Sequence, residues 1–294
     1  MLVDFKAQTT TQILQWFKNN AINEGETLEC EFLNSDIDRI GYKAFVDLAQ
    51  LFTMKMLTPQ IKDDTTTIVA FYKLQTKSSF HKAEQNSEKY GVDSEFFKID
   101  KREQFSFLYH YQEALEFVNF KEKQAILNLG INKGDEFAVM KEMLTWKEFE
   151  EKKFVGIDYS SSVIEYAKKN FSFSNVTLMV HDINTLDELS LGRFDLLVSI
   201  GTLQSSSIDF NLMFMNLYQN YLQKGGAMIL GFPNCRWIDG EMIYGAKAPN
   251  YKFNEMGLVL KDIYFCKKYL QQKGYRVVIT GKDYLFLSAR KIGV

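Results

Sequence analysis

The stretch AILNLGINKGDEF, residues 125–137, decides the fold of the longer part of this chain. Ala125–Leu129 is an apolar run of strand length, and Gly130 and Gly134 follow it as turn-forming residues. A helical spacing of apolar residues begins directly after that turn. The same order of strand, turn and helix returns in KFVGIDYSSSVIEYAKK, residues 153–169. Strands that alternate with helices predict a parallel sheet with helices on both faces.

The rest of the chain supplies the other strands of this sheet. Five further elements continue the alternation, namely strands at Val176–Val180, Phe194–Ile200 and Ala227–Phe232 and helices at Asn211–Leu222 and Leu258–Lys273. The last two strands, Tyr275–Thr280 and Tyr284–Ala289, are separated by three residues that begin with Gly281, which indicates a hairpin. We therefore predict the α/β class, with a doubly wound, mostly parallel seven-stranded sheet that ends in an antiparallel strand.

The first hundred residues follow a different, mixed pattern. Thr9–Asn20 carries an apolar stripe at helical spacing, and Thr65–Leu74 is rich in β-branched and aromatic residues. Thr27–Phe32 alternates between apolar and polar residues, so Glu29 and Glu31 are expected on the solvated face of an edge strand. This mixture predicts a small N-terminal α+β unit.

The distribution of charge also favours two units. Residues 1–120 hold 13 Lys and Arg against 18 Asp and Glu, whereas residues 121–294 hold 22 against 19. We place the accessory unit and its connector at residues 1–103, and a Rossmann-like domain at residues 104–294. The many aromatic side chains of the accessory unit lead us to expect that it packs against the larger domain.

The composition disfavours several classes of protein. A net charge of −2 and a pI of about 6.0 do not suit a strongly basic nucleic-acid binder. No apolar run has the length of a bilayer span, and the first residues do not resemble a signal peptide. The three cysteines are widely spaced and the three histidines are scattered, so neither a disulfide framework nor a metal site is expected. We predict a reduced, cytoplasmic protein.

In a sheet of this kind, ligands bind at the carboxyl ends of the strands. Gly130 and Gly134 let the backbone turn tightly and approach a ligand closely. Asp158 ends the next strand, where a carboxylate is placed to accept hydrogen bonds from both hydroxyls of a ribose, although it could instead cap the helix after Ser160. Asp182 ends the following strand and suits the amino group of an adenine, although it could be an ordinary loop acid. Together these residues predict an adenosine site.

The sequence of the turn narrows the choice of adenosine ligand. The dinucleotide fingerprint G-x-G-x-x-G is not met, because Asn132 replaces its second glycine and Asp135 its third. Asp135 and Glu136 open the next helix, where the helix dipole favours them, but they would repel a pyrophosphate. We therefore predict a ligand with an adenosine end and no phosphate, and a cationic sulfonium fits best.

Five motifs stand in an order that resembles the class I S-adenosylmethionine-dependent methyltransferases. They are ILNLGINKG, FVGIDYS, VHD, FDLLVSI and LQKGGAMIL, and the resemblance covers roughly Gln104–Lys291. It implies a Rossmann-like domain with S-adenosylmethionine as the cofactor. It also implies a set of cofactor-binding residues, which are Asn128, Gly130, Asn132, Gly134, Asp158, Tyr159, Asp182, Ile183 and Ser199. The chain departs from the family at Asn128, where an acid is usual, and at Asn132, where a glycine is usual.

The acceptor side is predicted from the segment after the fifth strand of the sheet. Pro233–Tyr251 reads as a long irregular loop with an unusual mixture of polar and aromatic residues. We predict that it forms the substrate wall, with Asn234, Arg236 and Tyr244 as substrate-binding residues. The alternative is a surface insertion packed by its own aromatic side chains.

The predicted function is methyl transfer from S-adenosylmethionine to an unidentified acceptor. A small-molecule or small cationic acceptor is favoured over a nucleic acid because the first part of the chain is acidic. No catalytic residue, oligomeric state or membrane partner is assigned. Two alternatives stay open, namely a non-catalytic binding module of the same fold and a nicotinamide-dependent oxidoreductase.

Overall fold

A computed structural model of the protein describes residues 1–76, 91–246 and 254–293. The described residues of Met1–Lys82, together with Trp237–Tyr244, form one compact unit, the first unit. Those of Ala83–Arg236 and Gly245–Val294 form the second unit. Residues 77–90 of the predicted connector and residues 247–251 of the predicted substrate loop lie outside the described residues.

The first unit contains an α+β arrangement around a mixed sheet. Its N-terminal elements are β1 (Leu2–Asp4), α1 (Thr10–Asn19), β2 (Thr27–Leu33), α2 (Asn34–Ile40), α3 (Tyr42–Leu51), β3 (Met54–Met56), β4 (Gln60–Ile61) and β5 (Thr66–Lys73). The sheet order is β1-β2-β5-β3, and β4 also pairs with β5. Thr9 caps α1 through a capping box with Gln12. Leu28, Cys30 and Phe32 face the core, as their alternation predicts.

The interpretation of Glu31 as a solvated residue of an edge strand is wrong. β2 is a central strand that pairs with both β1 and β5. Only 5% of the surface of Glu31 is exposed, and its carboxylate binds the ammonium groups of Lys6 and Lys62. Alternation correctly separates the two faces of a strand, but it does not show what covers the second face.

Seven strands form the sheet of the second unit. They are β6 (Ala125–Leu129), β7 (Lys153–Asp158), β8 (Val176–Val180), β9 (Phe194–Ile200), β10 (Leu222–Pro233), β13 (Tyr275–Gly281) and β14 (Tyr284–Lys291). Their order is β13-β14-β10-β9-β6-β7-β8. The pairs from β10 to β8 are all parallel, whereas β14 runs antiparallel to both of its neighbours. The predicted fold class is confirmed. β6 and β9 are neighbours without being consecutive in the chain, so the topological switch point lies between them.

The helices of the second unit lie before and between these strands in the chain. They are α4 (Glu95–Lys98), α5 (Phe105–Phe117), α6 (Asp135–Glu142), α7 (Trp146–Glu150), α8 (Ser161–Asn170), α9 (Phe210–Asn216) and α10 (Gly257–Gln272). Short helical turns occupy Lys101–Glu103, Phe120–Glu122 and Ile183–Glu188, and a π-helical turn follows α9 at Leu217–Tyr221. The core is apolar and includes Leu127, Ile157, Leu197 and Leu230 from four adjacent strands.

The predicted irregular loop after β10 instead contains a hairpin. Its strands are β11 (Cys235–Ile238) and β12 (Glu241–Tyr244), with left-handed backbone at Asp239 and Gly240 between them. Trp237–Tyr244 belongs to the first unit. There, Ile238 and Ile243 pack with Leu74, and the Gln50 side-chain amide donates to the Met242 carbonyl at 3.2 Å.

Cys30, Cys235 and Cys266 are all buried free thiols. Among the residues that the structure describes, no helix has the length and apolarity needed to cross a membrane. The cytoplasmic location inferred from the cysteines stays a prediction.

Candidate functional site

The turn between β6 and α6 requires its two glycines. Gly130 and Gly134 have φ values of +73° and +95°, which side chains rarely adopt. A Cβ on Gly130 would lie 1.8 Å from Oγ1 of Thr202, and a Cβ on Gly134 would lie 2.4 Å from the Phe171 ring. Asn132 also has a positive φ of +47°, which asparagine tolerates better than most residues. The segment Gly130–Gly134 is called the glycine turn below.

Asp158 ties the glycine turn to the start of α8. Its Oδ2 accepts the Asn132 backbone N–H at 2.9 Å, and its Oδ1 accepts the Ser160 N–H at 3.1 Å. Ser160, not Asp158, is the N-cap residue of α8. Burial raises the pKa of Asp158, against the lowering effect of hydrogen bonds from the backbone of Ser160, Asn132 and Tyr159. A carboxylate has about four acceptor positions, so Asp158 keeps capacity for a ligand.

Two predicted site residues are buried in neighbouring strands at the switch point. Asn128 on β6 has no exposed surface, and neither polar atom of its side chain has a partner among the described residues. Buried polar atoms are nearly always paired, so this amide is an exception that points to a missing partner. Ser199 on β9 is also buried, and its Oγ donates to the Leu129 carbonyl at 3.2 Å.

The end of β8 and the residue after β7 supply the remaining predicted cofactor contacts. Asp182 accepts the Asn184 backbone N–H at 2.9 Å and caps the short helical turn that follows. Ile183 is buried, whereas Tyr159 exposes 58% of its surface. β7 and β8 pair in parallel, with Asp158 opposite Val180, so their ends lie side by side. The structure therefore brings these residues to the same edge of the sheet as the glycine turn.

A charged cluster, defined as Asp100, Lys101, Arg102, Asp135 and Glu136, lies against the glycine turn. Lys101 and Glu136 are almost fully buried, and Lys101 Nζ lies 3.3 Å from Glu136 Oε1. Arg102 Nε lies 3.6 Å from Asp135 Oδ1, and Arg102 also binds both carboxylate oxygens of Asp100, at 3.0 and 2.6 Å.

Burial and neighbouring charges shift the pKa values of two residues in this cluster. Burial and the neighbouring Glu136 raise the pKa of Asp135 to about 6. Burial is the largest single influence on Lys101 and disfavours its charged form, but Glu136, Tyr284 and Asp135 together outweigh it and raise the pKa of Lys101, so the ammonium stays charged. Asp135 and Glu136 were predicted from the sequence to open α6, whereas Lys101 was not predicted as part of the site. A lysine in a polar connecting segment shows no local pattern, and only the fold brings it to the turn.

The three predicted substrate residues are divided between the two units. Asn234 is buried, with its Nδ2 donating to the Lys282 carbonyl at 3.1 Å, while its Oδ1 has no partner among the described residues. Arg236 Nε donates to the Gly245 carbonyl at 3.2 Å, and burial lowers the pKa of Arg236. Tyr244 belongs to the first unit, where its backbone N–H donates to Gln50 Oε1 at 3.3 Å. Asn234 and Arg236 belong to the second unit.

No group of three or more His, Cys, Asp or Glu side chains within the described part of the chain is arranged to hold a metal ion. The site thus consists of a strained turn, carboxylates at two strand ends, an unpaired buried amide and a charged cluster.

Three solved structures of methyltransferases are similar to this chain, each at low sequence identity. A S-adenosylmethionine-dependent methyltransferase from Aquifex aeolicus is 13% identical, with 70% of this chain and 98% of that chain covered and a TM-score of 0.46. The magnesium protoporphyrin IX methyltransferase of Synechocystis is 15% identical, with coverages of 66% and 85% and a TM-score of 0.41. The plantazolicin methyltransferase BpumL is 12% identical, with coverages of 70% and 94% and a TM-score of 0.45. No curated protein matches the sequence.

The assignment of the family rests on a domain match. Residues 120–278 match the family model described as "Methyltransferase domain". That range is more than half of the chain, and it contains the glycine turn, Asp158, Asp182 and both strands of the switch point. The chain therefore belongs to this methyltransferase-domain family and is a class I S-adenosylmethionine-dependent methyltransferase.

Proposed function

We propose that S-adenosylmethionine binds at the carboxyl ends of β6–β9 and that its methyl group passes to a small, neutral or cationic acceptor. The observation that carries the site is the fully buried, unpaired Asn128 amide beside the glycine turn. An unpaired buried amide costs about 1–3 kcal/mol, which a bound ligand or its ordered water can relieve.

Each part of the cofactor has matching residues at this edge of the sheet. The glycine turn, Gly130, Asn132 and Gly134, would line the methionine part because it follows the carboxyl end of β6 at the switch point. Asp158 would accept the ribose hydroxyls with the lone pairs that Asn132 and Ser160 leave unused. The adenine would lie between Asp182, Ile183 and Tyr159, which is exposed enough to stack on a ring. Ser199 would support the site indirectly, because its hydrogen bond to the Leu129 carbonyl holds β9 against the end of β6.

When bound, S-adenosylmethionine supplies an electrophilic methyl group on a sulfonium. A lone pair of the acceptor would form the new bond to this carbon as the sulfur–carbon bond breaks, which would release S-adenosylhomocysteine. The protein's contribution to such a displacement is alignment of the two reactants and exclusion of water. An acceptor that is already nucleophilic needs no protein base, and its proton passes to solvent after transfer.

The class of acceptor is inferred from charge and from Asn234. The first 120 residues hold 18 acids against 13 basic residues, which disfavours a large polyanion. The bond from Asn234 Nδ2 to Lys282 fixes the orientation of that amide, so its unpaired atom is an oxygen that accepts a hydrogen bond. An acceptor that carries an N–H or O–H group would satisfy it.

Calorimetry with S-adenosylhomocysteine tests the cofactor site. Asp158→Asn removes the charge while it keeps one acceptor oxygen, and we expect affinity to fall at least tenfold, since charge-assisted bonds contribute about 1.5–3 kcal/mol. Asp195→Asn is the matched control, because Asp195 also accepts two backbone N–H groups, at 2.7 and 2.9 Å, but at the amino ends of the strands. Equal losses in both variants would reject the ribose assignment.

The acceptor class is tested by following a labelled methyl group. S-adenosylmethionine with a labelled methyl is mixed with the enzyme and with separated small-molecule, RNA and protein fractions of a cell extract. We expect the label in the small-molecule fraction, in compounds with an amine or hydroxyl. Label confined to RNA would reject the proposed acceptor class and leave the cofactor site intact.

A further inference from the structure

The strand β13 forms one edge of the seven-stranded sheet and lies in a strongly basic part of the chain. We propose that β13 is a docking surface that accepts an extended, acidic segment of a partner protein as an additional strand. The segment would pair with the outer edge of β13 through its backbone, and its acidic side chains would meet the basic residues around that edge. The proposal does not depend on the cofactor site, because β14 and β10 lie between β13 and β9.

β13 lacks the features that usually protect an edge strand from pairing. Proteins commonly shorten such strands or place proline, lysine or a bulge in them. β13 has seven residues, YRVVITG, without proline or lysine, and each of them pairs with β14 with no shift in register. β8, the other edge strand of this sheet, has five residues, and the edge strands β1 and β3 of the first unit have three each. β13 is therefore the longest edge strand in the part of the chain that the structure describes.

The backbone groups available for pairing belong to alternate residues of β13. In an antiparallel pair, every second residue directs its N–H and C=O groups towards the neighbouring strand. Just beyond the first pair of β13 and β14, the Ile292 N–H donates to the Gly274 carbonyl at 3.1 Å. The even-numbered residues of β13 therefore bond to β14, so Val277 and Ile279 direct their backbone groups away from it. Within the described ranges, no strand pairs with that outer edge.

The chain around β13 carries a high positive charge. From residue 267 to residue 291 it holds seven Lys and Arg and a single acid, Asp283, whereas the whole chain has a net charge of −2. Asp283 exposes only 5% of its surface and lies 3.9 Å from Lys282. The seven basic residues are Lys267, Lys268, Lys273, Arg276, Lys282, Arg290 and Lys291. A segment with negative charge complements this surface.

Two arginines stand directly opposite each other at this edge. Arg276 on β13 pairs with Arg290 on β14, and like charges in opposite positions destabilise a sheet. Both guanidinium groups lie over the ring of Phe117, at 5.9 and 5.0 Å from its centre. Arg290 also donates to Asn119 Oδ1 at 3.4 Å, but neither arginine has an acidic partner among the residues that the structure describes. A carboxylate on a strand added next to β13 would lie beside Arg276 and relieve this repulsion.

The combination of free backbone groups and positive charge favours a peptide over other partners. A nucleic acid would match the charge, but it has no row of N–H and C=O groups with the spacing of a β-strand. A second copy of this chain would match the backbone, but it would bring the same seven basic residues against themselves. An acidic peptide in extended conformation matches both features, with main-chain hydrogen bonds for affinity and side chains for specificity.

Fluorescence anisotropy with two labelled peptides tests this surface. One probe is a peptide of alternating Glu and Val, the other has Lys in place of Glu, and the full chain is titrated into each. We expect the acidic peptide to bind and the basic peptide not to bind. Ile279→Pro removes an outward N–H group and should weaken binding about tenfold. Ile279→Val is the matched control, since it keeps that N–H, and it should change the affinity less than about threefold.

Reversal of one charge gives an independent measurement. Arg276→Glu should weaken the acidic peptide about tenfold and allow the basic peptide to bind. Lys224→Glu changes an exposed lysine at the start of β10 and should alter neither affinity. Should Ile279→Pro not fold, as judged by circular dichroism, Arg276→Glu decides, and an unchanged affinity for the acidic peptide would reject the docking surface.

Three further results would overturn the proposal. The first is that the acidic peptide does not bind the wild type, or that Ile279→Pro and Ile279→Val weaken it equally. The second is that a single-stranded RNA oligonucleotide binds in the same assay and the acidic peptide does not. The third is a dimer in light scattering that Ile279→Pro abolishes, which would assign this edge to a second copy of the chain.

Discussion

Glu31 and Glu136 expose only 5% and 2% of their surfaces, yet the protein surrounds these two carboxylates differently. Hydrogen bonds from Lys62 and Lys6 lower the pKa of Glu31. Around Glu136, one lysine lies 3.3 Å away, and the adjacent Asp135 has its pKa raised to about 6. In the β2 region two lysines bind one acid, whereas at the start of α6 two buried acids are adjacent in the chain. Burial of an acid therefore says little about function, and the direction in which its neighbours shift the pKa says more.

The largest effect should come from removing the lysine of each pair. Lys101→Met leaves a buried carboxylate without its ion-pair partner, which costs about 3–5 kcal/mol. Lys62→Met leaves Glu31 with Lys6, so the loss of stability should be clearly smaller. Urea unfolding of the two variants at pH 7 measures both. Equal losses of stability in the two variants would mean that Glu31 and Glu136 are stabilised in the same way, which would contradict the difference described between them.

The two regions should also respond to pH with opposite signs. The folded pKa of Asp135 is raised from 3.8 to about 6, so stability that is present below pH 4 is lost as the pH rises through 6. Asp135→Asn removes this loss. Between pH 4 and 7, the free energy of unfolding of the variant should therefore rise above that of the wild type by up to about 3 kcal/mol. The pKa of Glu31 is lowered, so its contribution is present above its unfolded value and is lost as the pH falls. Glu31→Gln should therefore reduce the fall in the free energy of unfolding as the pH is lowered. Unfolding free energies measured from pH 3 to 8 for both variants give the two signs.

The smallest effect concerns the unpaired amide of the second unit. Asn128→Leu replaces two buried polar atoms without partners by apolar ones, and it should stabilise the ligand-free protein by about 1–2 kcal/mol. The same change should weaken the binding of S-adenosylhomocysteine, because the amide that would hydrogen-bond to the ligand or its ordered water is removed. Melting curves with and without ligand test this, and a loss of stability in the free protein would show that the amide is already satisfied.

Most secondary-structure elements of the second unit could be predicted from local sequence. β6, β8 and β9 begin and end where their apolar runs predict, and Gly130 and Gly134 have the positive φ that their position in a tight turn suggests. What the sequence missed depends on distant contacts. Lys101 becomes part of the site only because its turn meets α6, and the partners of the buried Glu31 are two lysines from other segments. The hairpin β11–β12 was missed because its strands are four residues long and lie between turn-forming residues.

That hairpin makes the first unit discontinuous in the chain, which has a consequence for synthesis. Leu74 packs with Ile238 and Ile243, but it leaves the ribosome long before either isoleucine is made. At roughly 5–20 residues per second, the interval between residues 76 and 237 is on the order of 10–30 s. During it, Leu74 has no hairpin to cover it, while β6–β10 of the second unit emerge. The unit that the ribosome delivers first is therefore completed only after most of the second sheet has been made.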